Sequence, residues 1–395
     1  MDTPPAYQAI PDLVCFSHLR WDYVYQRPQH LMSRFARNRR VLFIEEPLYE
    51  ATTEPFLRTA SREDGLEVVT PVLPADVESR DSVLLQRALL TDYIGRVCTP
   101  RPTFWFETPM AFSFAPTALA GVVIYDCMDE LSMFDHAPAS LVFNEKQLLT
   151  RADLVFTGGR SLYEAKRSKH ANVHCFPSGI DASHFGRARR HRHGEACPPE
   201  FTQMPDGPRI GFAGVIDERL DVDLLTAVAD SRPDYQFVMV GPVVKIDPAV
   251  LPRRDNVHYL GMRDYGTLPD IMSEWDVAVM PFAHNAATAY ISPTKTPEYL
   301  AAGLPVVATG IRDVVRQYGD RGLVAIADDP AAFAAAIDGA MVQRDDPSRL
   351  RAVDAALASV SWDSIWRRMV ALERAAAESM PVSGAGEIDS IAGAH

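Results

Sequence analysis

Residues 277–309, VAVMPFAHNAATAYISPTKTPEYLAAGLPVVAT, read as strand, polar loop, helix and strand. Val277–Met280 is a short apolar run ended by Pro281, and residues 283–292 are small or polar, as a loop requires. Pro293 is placed to open a helix, since the first turn is where proline's missing N–H costs least. Tyr299, Leu300 and Ala302 form the buried side of that helix, Gly303 stops it, and Leu304–Ala308 is a second strand. The chemistry is concentrated where loop meets helix. Backbone N–H groups at a helix start attract anions, and Ser292, Thr294, Lys295 and Thr296 add hydroxyls and one cation there. Glu298 follows Lys295 on the same face of the first turn. A cation for phosphate beside a carboxylate for ribose hydroxyls suits a nucleoside diphosphate. The same residues also suit a capped helix with a solvated Lys–Glu pair.

The segment SPTKTPEYLAAGLPVVAT resembles the donor-binding signature of GT-B glycosyltransferases, in particular the large family 4, in which a helix ending E-x-x-A-x-G-x-P-V-V-A grips the nucleotide. Glu298, Ala302, Gly303, Pro305, Val306, Val307 and Ala308 follow that tail, with Ala302 one residue later than the commonest spacing. The second Glu that the family carries eight residues earlier, facing the sugar, is Tyr290 here. The resemblance implies an α/β chain of GT-B type: two Rossmann-like parallel-sheet lobes facing a cleft, with a C-terminal helix crossing back to the first lobe. On that reading residues 1–186 form the acceptor lobe, 187–208 a linker, 209–360 the nucleotide-sugar lobe, 361–380 the crossing helix and 381–395 a flexible tail.

Within the second lobe, Arg209–Gly214 is a strand ending in glycine, which lets a loop approach a phosphate closely. The family places an Arg and a Lys after this strand. Here Arg219 stands among Asp217, Glu218 and Asp221, so Lys295 is expected to be the main diphosphate cation. The strand ending at Gly241 and the VHYLG run with Leu260 match the family's base-reading neighbourhood, and His284 is a candidate phosphate or sugar contact.

In the first lobe, the strand Leu13–Phe16 runs into a loop rich in aromatic, Arg and His residues, then a helix and the strand Val41–Ile44. Loops beyond the carboxyl ends of strands line the ligand crevice of open α/β sheets. The run His18-Leu-Arg20-Trp21-Asp22, with Arg27-Pro28-Gln29-His30 after it, resembles the N-terminus of family 4-like enzymes of bacterial cell-surface polysaccharide clusters. Arg20, Trp21, Asp22 and Arg27 are therefore expected at the acceptor, although Trp21 also suits packing on the lobe. A further strand, from Gly121 to Tyr125, leads to Asp126-Cys-Met-Asp129-Glu130. Neighbouring carboxylates raise one another's pKa, and such clusters favour function. Asp129, then Asp126, are the candidate polar groups nearest the reacting centre, with His18 the third catalytic candidate. A helix-capping role suits the same carboxylates.

At −13 the net charge excludes a general nucleic-acid binder. No apolar run reaches the roughly 20 residues that span a bilayer, the start MDTPPAYQAI lacks a signal pattern, and cysteines 15, 98, 127, 175 and 197 are scattered as reduced thiols are. A cytoplasmic protein is expected, with contact at the inner membrane face left open by Arg34, Arg37, Arg39 and Arg40. His191, His193 and Cys197 lack a fourth metal partner. The resemblance implies transfer from a UDP- or GDP-sugar to a glycan, lipid-linked or small-molecule acceptor, with retention and without a metal or other cofactor. Inversion with Asp129 as base, a nucleotide-sugar epimerase and a non-catalytic nucleotide-sugar-binding protein stay open as alternatives.

Overall fold

The protein is described by a computed structural model over residues 10–190 and 198–379. The sequence expectations for His191, His193, Cys197 and the tail beyond residue 380 fall outside the described residues. In the first lobe the strands are β1 (Leu13–Phe16), β2 (Val41–Ile44), β3 (Leu48–Glu50), β4 (Phe56–Glu63), β5 (Leu66–Pro74), β6 (Thr103–Phe106), β7 (Val123–Cys127), β8 (Leu154–Thr157) and β9 (Val173–Cys175). They form one sheet in the order β3-β5-β2-β1-β6-β7-β8-β9, parallel except that β4 pairs antiparallel with β5. That hairpin was not legible from residues 56–74, of which only Glu67–Val72 reads as a strand.

β1, β2, β6, β7 and β8 are buried along their whole length. Continuous apolar strands of this kind need cover on both faces. Alternate residues of β1 therefore serve different layers: Leu13 and Cys15 pack with Trp21, Phe35, Phe43 and Trp105, whereas Val14 and Phe16 pack with Phe104, Phe106 and Tyr125. The covering helices of this lobe are α1 (Arg27–Ala36), α2 (Ser79–Val97), α3 (Ser140–Arg151) and α4 (Arg160–Lys166).

The second lobe has β10 (Arg209–Ala213), β11 (Gln236–Val240), β12 (Val257–Gly261), β13 (Val277–Met280), β14 (Val306–Ala308) and β15 (Ala325–Ile326), in the order β12-β11-β10-β13-β14-β15 and all parallel. After α5 (Ala182–Phe185), its helices are α6 (Val222–Ser231), α7 (Leu268–Ser273), α8 (Lys295–Ala301), α9 (Arg312–Gln317), α10 (Pro330–Val342) and α11 (Pro347–Leu357). In each sheet the order reverses at the first strand: the chain goes from β1 to β2 on one side and later to β6 on the other, and from β10 to β11 and later to β13. The loops after β1 and β6, and those after β10 and β13, thus flank the crevices where such sheets bind ligands.

The last helix, α12 (Trp362–Glu378), returns to the first lobe. Trp362, Ile365 and Met369 enter its core, Trp362 stacks on His30 at 4.6 Å, and buried Arg39 grips Glu373 through two hydrogen bonds of 2.6 and 2.8 Å. The passage between lobes begins earlier than the proline- and glycine-rich composition of 187–208 suggests. Ile180, Phe185, Ala188 and Phe201 are already buried in the second lobe's core.

Candidate active site

The helix of the opening stretch starts at Lys295, with Thr294 as the residue before it, so Pro297 and not Pro293 is the first-turn proline. Both prolines satisfy the same local rule. Gly303, at φ 81°, ends the helix as expected. Tyr299 pins the helix to the end of β10: its Oη accepts from Ala213 N at 2.7 Å and donates to Ala213 O at 3.1 Å. At the other end Arg189 donates to Ala301 O (2.8 Å) and Leu300 O (3.2 Å), and Arg349 to Gly303 O and Leu304 O. Cations at a helix C-terminus favour its dipole. Arg189, part of a run that reads as a basic linker, is therefore an anchor of this helix.

The Lys295 side chain is laid across Gly214. A Cβ at Gly214 would collide with Lys295 Cε and Nζ, and the backbone there has φ 154°. One at Gly241, φ 140°, would collide with Gly214 O. Glycine at both positions lets the turns after β10 and β11 close on each other with the lysine lying over them. The ammonium sits 5.7 Å from the Phe212 ring centroid and 5.9 Å from that of Phe282. Among the described residues it makes no hydrogen bond or ion pair. Burial, and then the neighbouring Arg219 charge, lower the Lys295 pKa against the pull of Glu298, Asp217 and Asp129. Burial raises the Glu298 carboxyl, which Lys295 counters. Arg219 itself is clamped by Asp217 through Nε (2.9 Å) and Nη2 (2.6 Å), leaving Lys295 as the unpaired cation over the glycine turn.

Across the cleft, the three carboxylates after β7 have separate fates. Asp126, fully buried, takes Nε and Nη2 of Arg27 at 2.9 and 2.8 Å. Glu130 takes Lys166, a fully buried lysine that also meets Glu145 at 2.6 Å. Among the described residues the Asp129 carboxyl has no hydrogen bond or ion pair. Burial raises its pKa, opposed first by Arg219 and then by Lys295 of the other lobe. The candidate acid or base and the candidate phosphate cation thus face each other across the cleft.

His18 is half-buried at the end of β1, its Nδ1 buried and without a hydrogen-bond partner, and burial followed by the Lys245 charge holds the imidazole down at about 4. Sequence reasoning missed Glu107, directly after β6 and so beside the β1 loop. It is 1% exposed, neither carboxylate oxygen has a hydrogen-bond partner, and burial pushes it up to about 8. Also missed was Asp313, which joins the lobes. It accepts from Ser161 N and, at 2.6 Å, from Ser161 Oγ, capping α4 from the second lobe. Ser292 packs so closely on Gly159 that a Cβ there would collide with it. Tyr290, the substitute for the family's second Glu, packs against the first lobe's core.

Several expected site residues are placed elsewhere. Arg27, expected at the acceptor, is 3% exposed and bound to Asp126 and to Phe176 O, so both it and Asp126 serve the scaffold. Trp21 is buried edge-on against Phe43 at 5.0 Å. Arg20 donates to Glu45 and to Glu46 O, and Asp22 pairs with Arg62 at 2.5 Å. The Thr296 hydroxyl is buried and turned to Met280 Sδ. His284 meets Asp328 at 2.7 Å on an exposed surface, and Leu260 packs against the second core.

Comparison with known proteins agrees with the two-lobed fold. Residues 207–342 match the family described as Glycosyl transferases group 1. Over 205 residues the chain is 27% identical to TuaH of Bacillus subtilis (strain 168), a protein whose name places it in teichuronic acid biosynthesis as a glycosyltransferase; the match covers 48% of this chain and 50% of TuaH. The chain thus spans about half the length of the curated relative it matches. Among solved structures, the E. coli protein described as trehalose-6-phosphate bound with UDP-2-fluoro glucose superposes with a TM-score of 0.67 at 13% identity, covering 92% of this chain and 99% of that one. The catalytic domain of starch synthase IV from Arabidopsis thaliana, bound to ADP and acarbose, does so with a TM-score of 0.67 at 13% identity, covering 94% and 100%. Sucrose-phosphate synthase from Thermosynechococcus elongatus has the same TM-score at 16% identity, with coverage of 92% and 98%. The chain has the GT-B glycosyltransferase fold, and residues 207–342 of its second lobe match the group 1 glycosyl transferases.

Proposed function

We propose that the protein transfers a sugar from a nucleoside-diphosphate sugar to a glycan, lipid-linked or small-molecule acceptor. The observation that carries this reading is the unpaired Lys295 ammonium laid over the Gly214 turn, opposite the unpaired carboxyl of Asp129. A diphosphate leaving group set against Lys295 would receive its developing charge from a preorganised cation in a partly dry site, the largest lever an enzyme has on such a displacement. Glu298, on the same first turn, accepts from ribose hydroxyls. The cation replaces a metal, and no other cofactor takes part. UDP- and GDP-sugars are the favoured donors. The name of the Bacillus relative points to a cell-envelope polysaccharide acceptor, which fits action in the cytoplasm or at the inner membrane face. Among the described residues no helix is long and apolar enough to cross a membrane.

Retention is the outcome that the resemblance implies. Inversion is the second reading, favoured by one observation: among the described residues the Asp129 carboxyl in the cleft makes no hydrogen bond or ion pair, and burial raises its pKa. Thermal shift with UDP-, GDP-, ADP- and dTDP-sugars, followed by assay of nucleoside diphosphate release, tests the activity. Stabilisation by one donor and release on adding an acceptor are the expected results; no stabilisation by any of the four overturns the reading. The anomeric configuration of the product, read by proton NMR, decides between retention and inversion.

A further inference from the structure

After residue 169 the chain has only two lysines, Lys245 and Lys295, its other cations there being arginine and histidine. Many of those arginines are tied to carboxylates, as in Arg209–Glu274, Arg219–Asp217, Arg232–Asp338 and Arg254–Asp230. Both lysines sit at the cleft, and among the described residues neither has a hydrogen bond or ion pair. Lys295 is accounted for by the donor. Lys245 is not.

Lys245 is exposed on the loop after β11, just beyond the Gly241 turn, and has φ 63°. A non-glycine residue in the left-handed region persists only where its surroundings fix it. Here the Ile216–Val243 bridge and the Val244 N to Ile216 O hydrogen bond of 3.0 Å do so. This backbone sends the side chain toward the first lobe, where the ammonium lies 5.1 Å from the Phe134 ring centroid. Arg219 lies 5.5 Å from the same ring. The Lys245 charge also reaches His18, whose buried Nδ1 has no partner. An exposed cation over a ring is held weakly, so an anion that enters the cleft can recruit it. Lysine is suited to this as a mobile point charge with three donors.

We propose that Lys245, with His18 and Phe134 facing it from the other lobe, forms a subsite for an anionic group, a phosphate or a carboxylate, on the acceptor. The term acceptor rests on the transferase reading; the anion site itself does not. The sugar ring of such an acceptor packs on Phe134 while the charged group meets Lys245, and the subsite is complete only when both lobes are present.

Calorimetric titration of the full chain, with and without saturating UDP, tests this with glucose 6-phosphate as the phosphate probe, glucuronate as the carboxylate probe and glucose as the neutral control. One anionic probe is expected to bind about tenfold or more tightly than glucose. Lys245→Ala is expected to lose that margin and Lys245→Arg to keep most of it, with UDP affinity unchanged in both, as removal of one charge-assisted contact implies. Which probe binds distinguishes phosphate from carboxylate. Anion affinity unchanged in Lys245→Ala, no preference over glucose, or a parallel loss of UDP affinity in Lys245→Ala overturns the subsite. Anion binding that depends on Lys245 in a protein that does not bind UDP supports the subsite while refuting the donor reading.

Discussion

In the first lobe the loop from β1 to α1 carries Arg20 and Asp22 and ends at Arg27, the first residue of α1, and each is met by an opposite charge: Glu45 at 2.9 Å, Arg62 at 2.5 Å and Asp126 at 2.8 Å. In the second lobe the loop before α8 leads to Lys295, as strategically placed at a strand-end crevice, and among the described residues no carboxylate is bonded to it. The two loops hold equivalent places at strand ends and differ in what satisfies the charges they present. A buried pair whose members complete each other fixes architecture, because removing either strands the other in a low dielectric. A half-buried ammonium left without a partner, laid over a turn that admits only glycine, is held ready for a ligand's charge. On the function proposed above, the difference assigns the chemistry to the second lobe and Asp129, with the first-lobe loop as its frame.

The comparison breaks most visibly at the buried pair. Arg27→Ala leaves the buried Asp126 on β7 without its counter-charge, and is expected to cost about 3–5 kcal/mol of stability, measured by denaturant unfolding. If the variant keeps wild-type stability and loses only activity, Arg27 is a ligand group and the loop is not a frame.

Glu107 gives the next largest effect, again on the first lobe. Its folded-state pKa of about 8 lies above the ordinary 4.5, so the folded protein holds a proton that the unfolded chain releases. Stability contributed by this group is present below pH 4.5 and is lost as pH rises toward 8. At about 1.4 kcal/mol per unit, the loss is on the order of a few kcal/mol. Glu107→Gln is expected to flatten the stability profile between those pH values and to be the more stable protein at pH 8. A profile identical to wild type shows that the carboxyl is solvated or paired.

Lys295→Ala is expected to weaken donor binding by about 1.5–3 kcal/mol, the size of one charge-assisted bond, without loss of folding stability. It is the mirror image of Arg27→Ala, where stability is lost. Wild-type donor affinity in the variant moves the diphosphate elsewhere and removes the contrast between the lobes.

What was legible in the sequence was local. Strand, glycine turn and the three-residue spacing of Lys295 and Glu298 are set by neighbours along the chain, and they stand in the structure as read, save that Pro297 takes the role expected of Pro293. The pairing of the acceptor loop's charges was not legible because their partners are distant: Glu45 lies 25 positions from Arg20, Arg62 lies 40 from Asp22 and Asp126 lies 99 from Arg27. No spacing rule reaches that far. Glu107 becomes notable only once β6 is known to lie beside β1, which is a fact of strand order. Lys245 did leave a signal in the scarcity of lysine after residue 169, although composition alone gave it no location.

The smallest effect tests the frame most finely. Asp22 and Arg62 form a pair at the surface, with the Asp22 side chain 62% exposed, and exposed pairs contribute less than about 1 kcal/mol. Asp22→Asn should therefore leave unfolding almost unchanged. If the loop only frames the site, transfer rate and acceptor KM should be unchanged as well, because the pair only ties the loop to β4. A variant that folds normally yet shows a raised acceptor KM, with donor affinity intact, would show that this edge of the loop touches the acceptor. The frame would then end at Arg27 and Trp21, whose side chains are buried, and the exposed rim of the same loop would belong to the binding surface. Because stability and KM are read separately, one substitution divides the loop between its two uses.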